Sequence, residues 1–218
     1  MNILLIGASG MIGSRILAEA AERGHVVRAA SRNPGKIALP EGAEAVKLDV
    51  TDGTAVAAVA EGVDVIVTSV SPRSTGDAES EMAAIGAGVT AGAKAADVPL
   101  LVVGGAGTLN LPDGSPLLPH LPPEILPEAT GMKRFKETLP GSGVDWTFFA
   151  PAAFIQGIFN GLNGRVGEPA LFLLGTGFVG VGIGGFRGDG HGRKSLDQGV
   201  GLRFGDGKRR HVDDPPHR

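Results

Sequence analysis

The chain has 218 residues, with 20 Lys and Arg against 23 Asp and Glu, and its formal net charge is −3. That balance gives no electrostatic reason to expect a nucleic acid or an acidic membrane as a partner. Cysteine is absent, which excludes disulfides, thiol nucleophiles and cysteine-ligated zinc, and the sequence predicts no metal site.

Residues 1–156 alternate strand-like and helix-like segments. The predicted strands are Ile3–Ile6, Val26–Ala30, Ala45–Leu48, Val63–Thr68, Leu100–Val103 and Trp146–Phe149. The predicted helices are Ile12–Arg23, Thr54–Glu61, Ser80–Ala96 and Ala129–Leu139. The first strand is uniformly apolar, as expected for a strand covered on both faces. This order predicts a Rossmann-like α/β fold, a doubly wound parallel sheet, with the proline-rich residues 110–128 as a loop over one end of it.

A glycine-rich loop joins the first strand to the first helix. It reads Gly7-Ala8-Ser9-Gly10-Met11-Ile12-Gly13. The amides at the start of the helix suit a pyrophosphate; Gly7 would allow the tight turn, Gly10 the close approach of the phosphates, and Gly13 close packing of the helix. The residues predicted to bind a cofactor here are Gly7, Ser9, Gly10, Met11 and Ile12. A glycine-rich turn with no ligand is the alternative interpretation.

The end of the second strand favours NADP(H) over NAD(H). An NAD site usually has an acid at this position for the ribose 2′-hydroxyl, whereas an NADP site supplies a cation for the 2′-phosphate. Here Ser31, Arg32 and Lys36 occur and no acid does. Arg32 is predicted to pair with the 2′-phosphate, and its alternative is a solvated loop cation.

Two polar residues follow the next two strands. Asp49 follows the third strand. It is placed either to accept a hydrogen bond from the adenine amino group or to cap the helix beginning near Thr54. Ser69, after the fourth strand, lies where the chain is expected to pass the cofactor ribose, although any polar loop would have similar composition.

Five segments within roughly residues 1 to 156 carry a resemblance to a known family: Gly7–Gly13, Ser31-Arg32, Leu48–Asp52, Val102–Leu109 and Asp145–Ala152. Together they resemble the atypical short-chain dehydrogenase/reductases, and most closely the NmrA-like NAD(P)H-binding proteins, which include flavin, biliverdin and quinone reductases. The resemblance implies a nicotinamide cofactor and hydride transfer.

The catalytic chemistry cannot follow the usual route of that superfamily. Typical short-chain dehydrogenases use a Tyr-x-x-x-Lys pair, and this chain has no tyrosine. Flavins and quinones accept a hydride and collect protons from water, so their reductases mainly need a positioned nicotinamide. Thr108, after the fifth strand, is a candidate for a substrate or nicotinamide contact, or is a turn threonine bonded to its own backbone. Lys133, three residues before Lys136 and predicted to share its helix face, is a candidate for the cofactor ribose, or is a solvated lysine.

Residues 157–218 are predicted to form an irregular tail. They hold 17 of the 36 glycines and show no helical periodicity. Such composition alone is sufficient for disorder. The alternative is a frameshifted remnant of the substrate-side region, because codon degeneracy over Val200–Gly207 permits the Asp-Tyr-Ala segment that the family has and this chain lacks.

The leading hypothesis is an NADPH-dependent reductase acting on a flavin-, quinone- or carbonyl-like small molecule. The alternatives are a non-catalytic NADP redox sensor that reports to a protein partner and an inactive, truncated family member. A cytoplasmic location is expected because no signal segment opens the chain and no apolar stretch reaches the ~18 residues of a membrane span.

Overall fold

The computed structural model describes residues 1–72, 75–111 and 113–150, and the backbone of residues 185–188 and 194–197. The strands are β1 Asn2–Ile6, β2 Val26–Ser31, β3 Ala43–Lys47, β4 Val65–Thr68, β5 Leu100–Val103, β6 Trp146–Phe149, β7 Gly185–Gly188 and β8 Lys194–Asp197. The α-helices are α1 Met11–Glu22, α2 Gly53–Val59, α3 Ala78–Ala96 and α4 Leu126–Thr138.

The strands form one sheet in the order β3-β2-β1-β4-β5-β6-β7-β8. The pairs within β1 to β6 are all parallel, and β7 and β8 extend the sheet in antiparallel pairing. The chain leaves β1 in one direction and returns at β4 in the other, so a topological switch point lies between β1 and β4. The predicted Rossmann-like doubly wound sheet is confirmed. The prediction of an irregular tail is wrong for residues 185–188 and 194–197, which form β7 and β8 by antiparallel pairing beyond β6. The boundary at residue 156 and the rest of the predicted tail lie outside the described residues.

Each face of the sheet carries its own hydrophobic core. Within β1, Leu4 and Ile6 join the cluster beneath α2, α3 and α4, whereas Ile3 and Leu5 join the cluster beneath α1. All four side chains are buried. Because successive side chains of a strand point to opposite faces, a strand covered on both sides must be apolar at every position, which is why β1 shows no alternation.

The last described helix begins earlier than the sequence indicated. The prediction placed its start at Ala129, but α4 begins at Leu126, with Pro127 in its first turn. A proline is tolerated there because the missing N–H would have no helical acceptor anyway. The preceding loop covers the end of β5 as expected, since a Cβ added to Gly107 would lie 3.1 Å from Leu118 and 3.3 Å from Leu121.

Arg28 joins β2 to the end of α2. Its Nη1 donates to the carbonyls of Val59, at 2.9 Å, and Glu61, and its Nε donates to Glu44 at 3.1 Å. We expect Arg28→Met to lower the free energy of unfolding by about 2 kcal/mol, because the carbonyl bonds are worth about 1 kcal/mol each. Urea denaturation measures this. Arg23→Met, which removes the pair with Glu19 at the end of α1, is the matched control and should cost at most about 0.5 kcal/mol.

Candidate functional site

The loops that follow β1 and β4 meet at the carboxyl edge of the sheet, beside the switch point. Gly7 has φ +87°, a left-handed conformation that favours glycine. Its N–H donates to the Ala30 carbonyl at 3.0 Å, and the Ser69 N–H donates to the Ile6 carbonyl at 2.9 Å. The predicted tight turn at Gly7 is therefore present, and Ser69 lies directly against it.

Gly13 brings the first turn of α1 against this loop. A Cβ at Gly13 would lie 2.1 Å from the Gly7 carbonyl oxygen and 2.8 Å from Ser69 Oγ. Both distances are far below van der Waals contact, so only glycine fits. At Gly10 the nearest atom to an added Cβ is the Gly7 oxygen at 3.2 Å. The predicted close packing at Gly13 is confirmed, and the exposed Gly10 leaves the outer side of the loop open to a ligand.

The start of α1 offers backbone donors. Gly10 is the N-cap and supplies no side-chain cap, and no acid occurs in the first turn. Ser14 is the first helical residue whose amide has a backbone acceptor, the Gly10 oxygen at 2.9 Å. Met11 and Ile12 precede it, and Ser9 is exposed in the loop. Uncapped amides at the positive end of a helix fit a phosphate group.

The end of β2 lies next to this loop. The Ser31 Oγ is buried and has no hydrogen-bond partner among the described residues, which is costly unless a ligand or water supplies one. Arg32 is exposed, and its charge acts on the nearby Asp49 carboxylate. A hydroxyl without a partner, followed in the chain by an exposed arginine, fits a ribose carrying a phosphate.

Asp49 does not cap α2. That role belongs to Asp52, whose Oδ1 accepts from the amides of Thr54 at 2.9 Å and Ala55 at 3.1 Å. The capping interpretation of Asp49 is wrong because the helix begins at Gly53, directly after Asp52. Asp49 Oδ1 instead accepts from Thr51 Oγ1 at 2.7 Å and the Thr51 amide at 3.0 Å.

Helix α3 supports the turn that presents Asp49. A Cβ at Gly88 would lie 2.3 Å from the Val50 carbonyl oxygen and 2.7 Å from the Thr51 carbonyl. The helix backbone therefore touches the turn directly. Asp49 itself is exposed, so its second carboxylate oxygen can face a ligand at the sheet edge.

The Asp49 carboxylate titrates below its usual range. Hydrogen bonds from the Thr51 hydroxyl and amide lower its pKa, with a smaller contribution from the charge of Arg32. Because the pKa of Asp49 is lower in the folded than in the unfolded state, its ionised carboxylate stabilises the fold at pH values above the unfolded pKa of about 3.8. That contribution is lost as the pH falls through the folded pKa.

We expect Thr51→Val to raise the pKa of Asp49, because the substitution removes the hydroxyl donor that is the largest cause of the shift. Carboxyl-carbon chemical shifts followed against pH measure it. Thr54→Val is the control, since only the amide of Thr54 bonds an aspartate. An Asp49 titration identical in wild type and Thr51→Val would contradict the assignment.

The Thr108 side chain makes a hydrogen bond within its own turn. It closes the 3₁₀ turn Ala106–Thr108, and its Oγ1 donates to the Gly105 carbonyl at 2.9 Å. The structure therefore contains the backbone-bonded alternative, with Thr108 half-buried after β5. A contact between Thr108 and a substrate would require the hydroxyl to rotate away from this carbonyl, so that role stays a prediction.

Lys133 and Lys136 diverge on α4. Lys133 is exposed, with its Nζ 4.0 Å from Glu137 on the outer surface. Lys136 is half-buried; its Nζ donates to the Thr108 carbonyl at 3.2 Å and lies 5.4 Å from the centre of the Phe148 ring. The expectation that the two lysines share one face is wrong, and the amine that reaches the loop after β5 is that of Lys136.

Sequence reasoning singled out Lys133 and gave Lys136 no role. A signal was available: Met132 and Phe135 are buried in α4, and Lys136 is four residues after the first and adjacent to the second. Helical spacing therefore puts Lys136 closer to the buried stripe. This inference requires knowing which side of α4 faces the core.

Two classes of feature are absent from the described ranges. No helix there is long and apolar enough to cross a membrane. No group of three or more His, Cys, Asp or Glu side chains in that part of the chain is arranged to hold a metal ion.

Several known proteins are similar to this chain in sequence or fold. The uncharacterised protein YwnB of Bacillus subtilis is 35% identical over 161 residues, which cover 72% of this chain and 74% of YwnB. A proposed epimerase from Bacteroides thetaiotaomicron is 34% identical with a TM-score of 0.63, covering 70% of this chain and 71% of that one. A proposed NADH-flavin reductase from Streptococcus pneumoniae is 26% identical with a TM-score of 0.59, covering 69% and 71%.

The family model described as NAD(P)H-binding matches residues 7–170, starting at the first glycine of the loop. The match spans the glycine loop and includes Ser31, Asp49 and Ser69. By this match and by the geometry of its glycine loop, the chain belongs to the NAD(P)H-binding family.

Proposed function

We propose that the protein is an NADPH-dependent reductase that delivers a hydride to a flavin-, quinone- or carbonyl-like acceptor. The observation that carries the cofactor preference is at the end of β2, where the buried Ser31 hydroxyl has no partner among the described residues and the next residue in the chain is Arg32. No acid occurs from Ala29 to Lys36 to favour a free ribose 2′-hydroxyl.

Each of the predicted site residues would contact a different part of the cofactor. The loop from Gly7 to Ile12 would hold the diphosphate, Ser31 and Arg32 the adenosine 2′-phosphate, and Asp49 the adenine amino group. Ser69 would lie along the ribose on the nicotinamide side. Bound NADPH supplies the hydride, and the chain's contribution is to fix the position of the nicotinamide beside the acceptor.

The acceptor class follows from the missing acid catalyst. Without tyrosine the chain cannot donate a phenolic proton to an alkoxide, so among the proposed acceptors a flavin or quinone fits better than a simple carbonyl compound. Reduction of a flavin or quinone needs a hydride from NADPH and a proton that water can supply. The Streptococcus relative proposed to be an NADH-flavin reductase supports this acceptor class.

Lys136 would hold the turn after β5 in place. Its bond to the Thr108 carbonyl ties α4 to the loop where the nicotinamide is expected. Its ammonium also lies over Phe148, a favourable cation–π arrangement. We therefore assign Lys136 a positioning role in the proposed reaction, and Thr108 and Lys133 remain weaker candidates.

A non-catalytic NADP sensor is the second candidate function. The observation that favours it is the Thr108 hydroxyl, which is occupied by Gly105, so that the loop after β5 presents no free side-chain donor from this residue. Such a protein would report NADP redox state to a protein partner, whereas an inactive truncated member would bind nucleotide poorly.

Nucleotide binding and turnover separate these possibilities. We expect NADPH to bind more tightly than NADH in a fluorescence titration, and to be oxidised when FMN, FAD or a benzoquinone is added. Binding without oxidation of NADPH by any acceptor would favour the sensor. Absence of binding by folded protein would contradict both functions.

A cytoplasmic location and a small-molecule acceptor as partner are parts of the same proposal. Cell fractionation tests the location, and the panel of acceptors tests the partner.

A further inference from the structure

Strand β3 forms one edge of the sheet. Among the described strands its neighbour is β2, with which it pairs in parallel. The Val27 amide donates to the Gly42 carbonyl at 3.2 Å, and the Leu48 amide donates to the Ser31 carbonyl at 3.1 Å. These two bonds fix the phase of the strand, because alternate residues of a parallel strand bond the same neighbour. The even-numbered residues of β3 therefore direct their backbone groups toward β2, and the odd-numbered residues direct theirs away from the sheet.

The outward backbone groups of β3 belong to Ala43, Ala45 and Lys47. The Ala43 amide donates to the Pro40 carbonyl at 3.3 Å, within the turn that precedes the strand. The amides of Ala45 and Lys47 have no acceptor in the described part of the chain, and both residues are exposed. An open edge of this kind is a template for pairing with another strand.

A groove of about 480 Å³ borders the same edge. It lies between β3 and α2, and its apolar lining consists of Val46, Ala58 and Val59. Glu44, on the same face of β3, is held there by Arg28 Nε at 3.1 Å. A strand added to β3 would lie along this groove and cover the half-buried Val46. The apolar lining therefore favours an added strand as the open backbone does.

We propose that β3 pairs in antiparallel fashion with β3 of a second copy of the chain, about a two-fold axis at Ala45. In a two-fold contact the same surface supplies both halves. With the axis at Ala45, outward residues meet outward residues, and Lys47 lies opposite Ala43 of the partner subunit. Glu44 lies opposite Val46 of the partner subunit, so no like charges face each other. Moving the axis to Glu44 would place two glutamates opposite each other, which is destabilising.

The charges around β3 favour a second copy over a different protein. Lys47 ends the strand, and Glu41 lies in the turn before it; both are exposed. Neither forms an ion pair with a residue in the described ranges. In the antiparallel pair, Lys47 of each copy lies beside the turn that carries Glu41 of the partner subunit. The two-fold axis makes this attraction occur twice, so the edge is complementary to itself.

Hydrogen exchange followed by NMR over a concentration series tests the pairing directly. The amides of Ala45 and Lys47 should become more protected as the concentration rises, because they gain acceptors in the dimer. The Val46 amide faces β2 and should exchange at a rate that does not depend on concentration. Sedimentation equilibrium over the same series should show a weak dimer, with a dissociation constant of about 0.01–1 mM, because the contact is small.

Ala45→Pro removes the outward amide at the proposed axis. The fold should persist, because that N–H is not part of the pairing with β2 and proline is accepted at such positions of edge strands. The dimer should be lost. Ala45→Val keeps the amide and is the matched control, which should dimerise as wild type does. Circular dichroism and urea denaturation establish that both variants are folded.

A charge exchange tests the orientation of the two strands. Lys47→Glu should raise the dissociation constant of the dimer by about tenfold, because it places like charges beside Glu41 of the partner subunit. Adding Glu41→Lys to the same chain should restore most of the affinity. A wild-type protein that stays monomeric throughout the series would overturn the proposal. So would a dimer that survives Ala45→Pro, or a double variant no tighter than Lys47→Glu alone.

Discussion

Gly13→Ala is expected to raise the dissociation constant for NADPH by about a hundredfold and to lower the free energy of unfolding by about 3 kcal/mol. The added methyl carbon would lie 2.1 Å from the Gly7 carbonyl oxygen and 2.8 Å from Ser69 Oγ. The Gly7 oxygen is a backbone atom and cannot move without shifting the turn between β1 and α1. The helix would therefore move away from the loop, and its amides would no longer point at the diphosphate.

Fluorescence titration and urea denaturation measure the two effects. Gly35→Ala is the matched control: no atom lies within 4 Å of a Cβ built at Gly35, and its backbone is not left-handed. This control should bind NADPH as wild type does. A Gly13→Ala protein that folds and binds normally would contradict the packing of α1 against the loop.

Arg32→Ala is expected to weaken NADPH binding by about 10- to 100-fold and to leave NADH binding within about twofold. A charge-assisted contact to phosphate is worth about 1.5–3 kcal/mol, and only NADPH carries the 2′-phosphate. The neighbouring Ser31 hydroxyl cannot replace the lost charge. The preference between the two nucleotides should therefore shrink or reverse.

The measurement is a pair of titrations, one with each nucleotide, at fixed ionic strength because the interaction is screened by salt. Arg134→Ala serves as the control for loss of one positive charge, since Arg134 pairs with Glu79 and Glu137 on the outer surface of α3 and α4. Equal losses for NADPH and NADH in Arg32→Ala would remove the reason for assigning the 2′-phosphate to this residue.

Local sequence signals were sufficient for most of the fold. Of the six predicted strands, β5 and β6 have the predicted ends, and the other four differ by one or two residues at an end. Uniformly apolar strands separated by helical segments have few arrangements open to them, so the doubly wound order could be predicted. The start of α4 was missed because Pro127 was read as part of a loop, although a proline also suits the first turn of a helix.

The site was predictable where backbone conformation decides function. The left-handed turn at Gly7 and the close packing at Gly13 follow from glycine spacing between a strand and a helix, because no other residue has the necessary freedom or size. The bonding of Asp49 to Thr51, and the cap at Asp52, depended on the residue at which α2 begins. Such boundaries are among the least certain features of any sequence interpretation.

Residue patterns were enough to predict the family, the parallel sheet and the glycine loop, because glycine spacing and apolar runs act through local backbone conformation and burial. The three-dimensional arrangement was needed to show which lysine of α4 reaches the loop after β5, and that Asp49 bonds Thr51 while Asp52 caps α2. These outcomes depend on distances between elements that are far apart in the chain or on a choice between local partners, and no residue pattern specifies them.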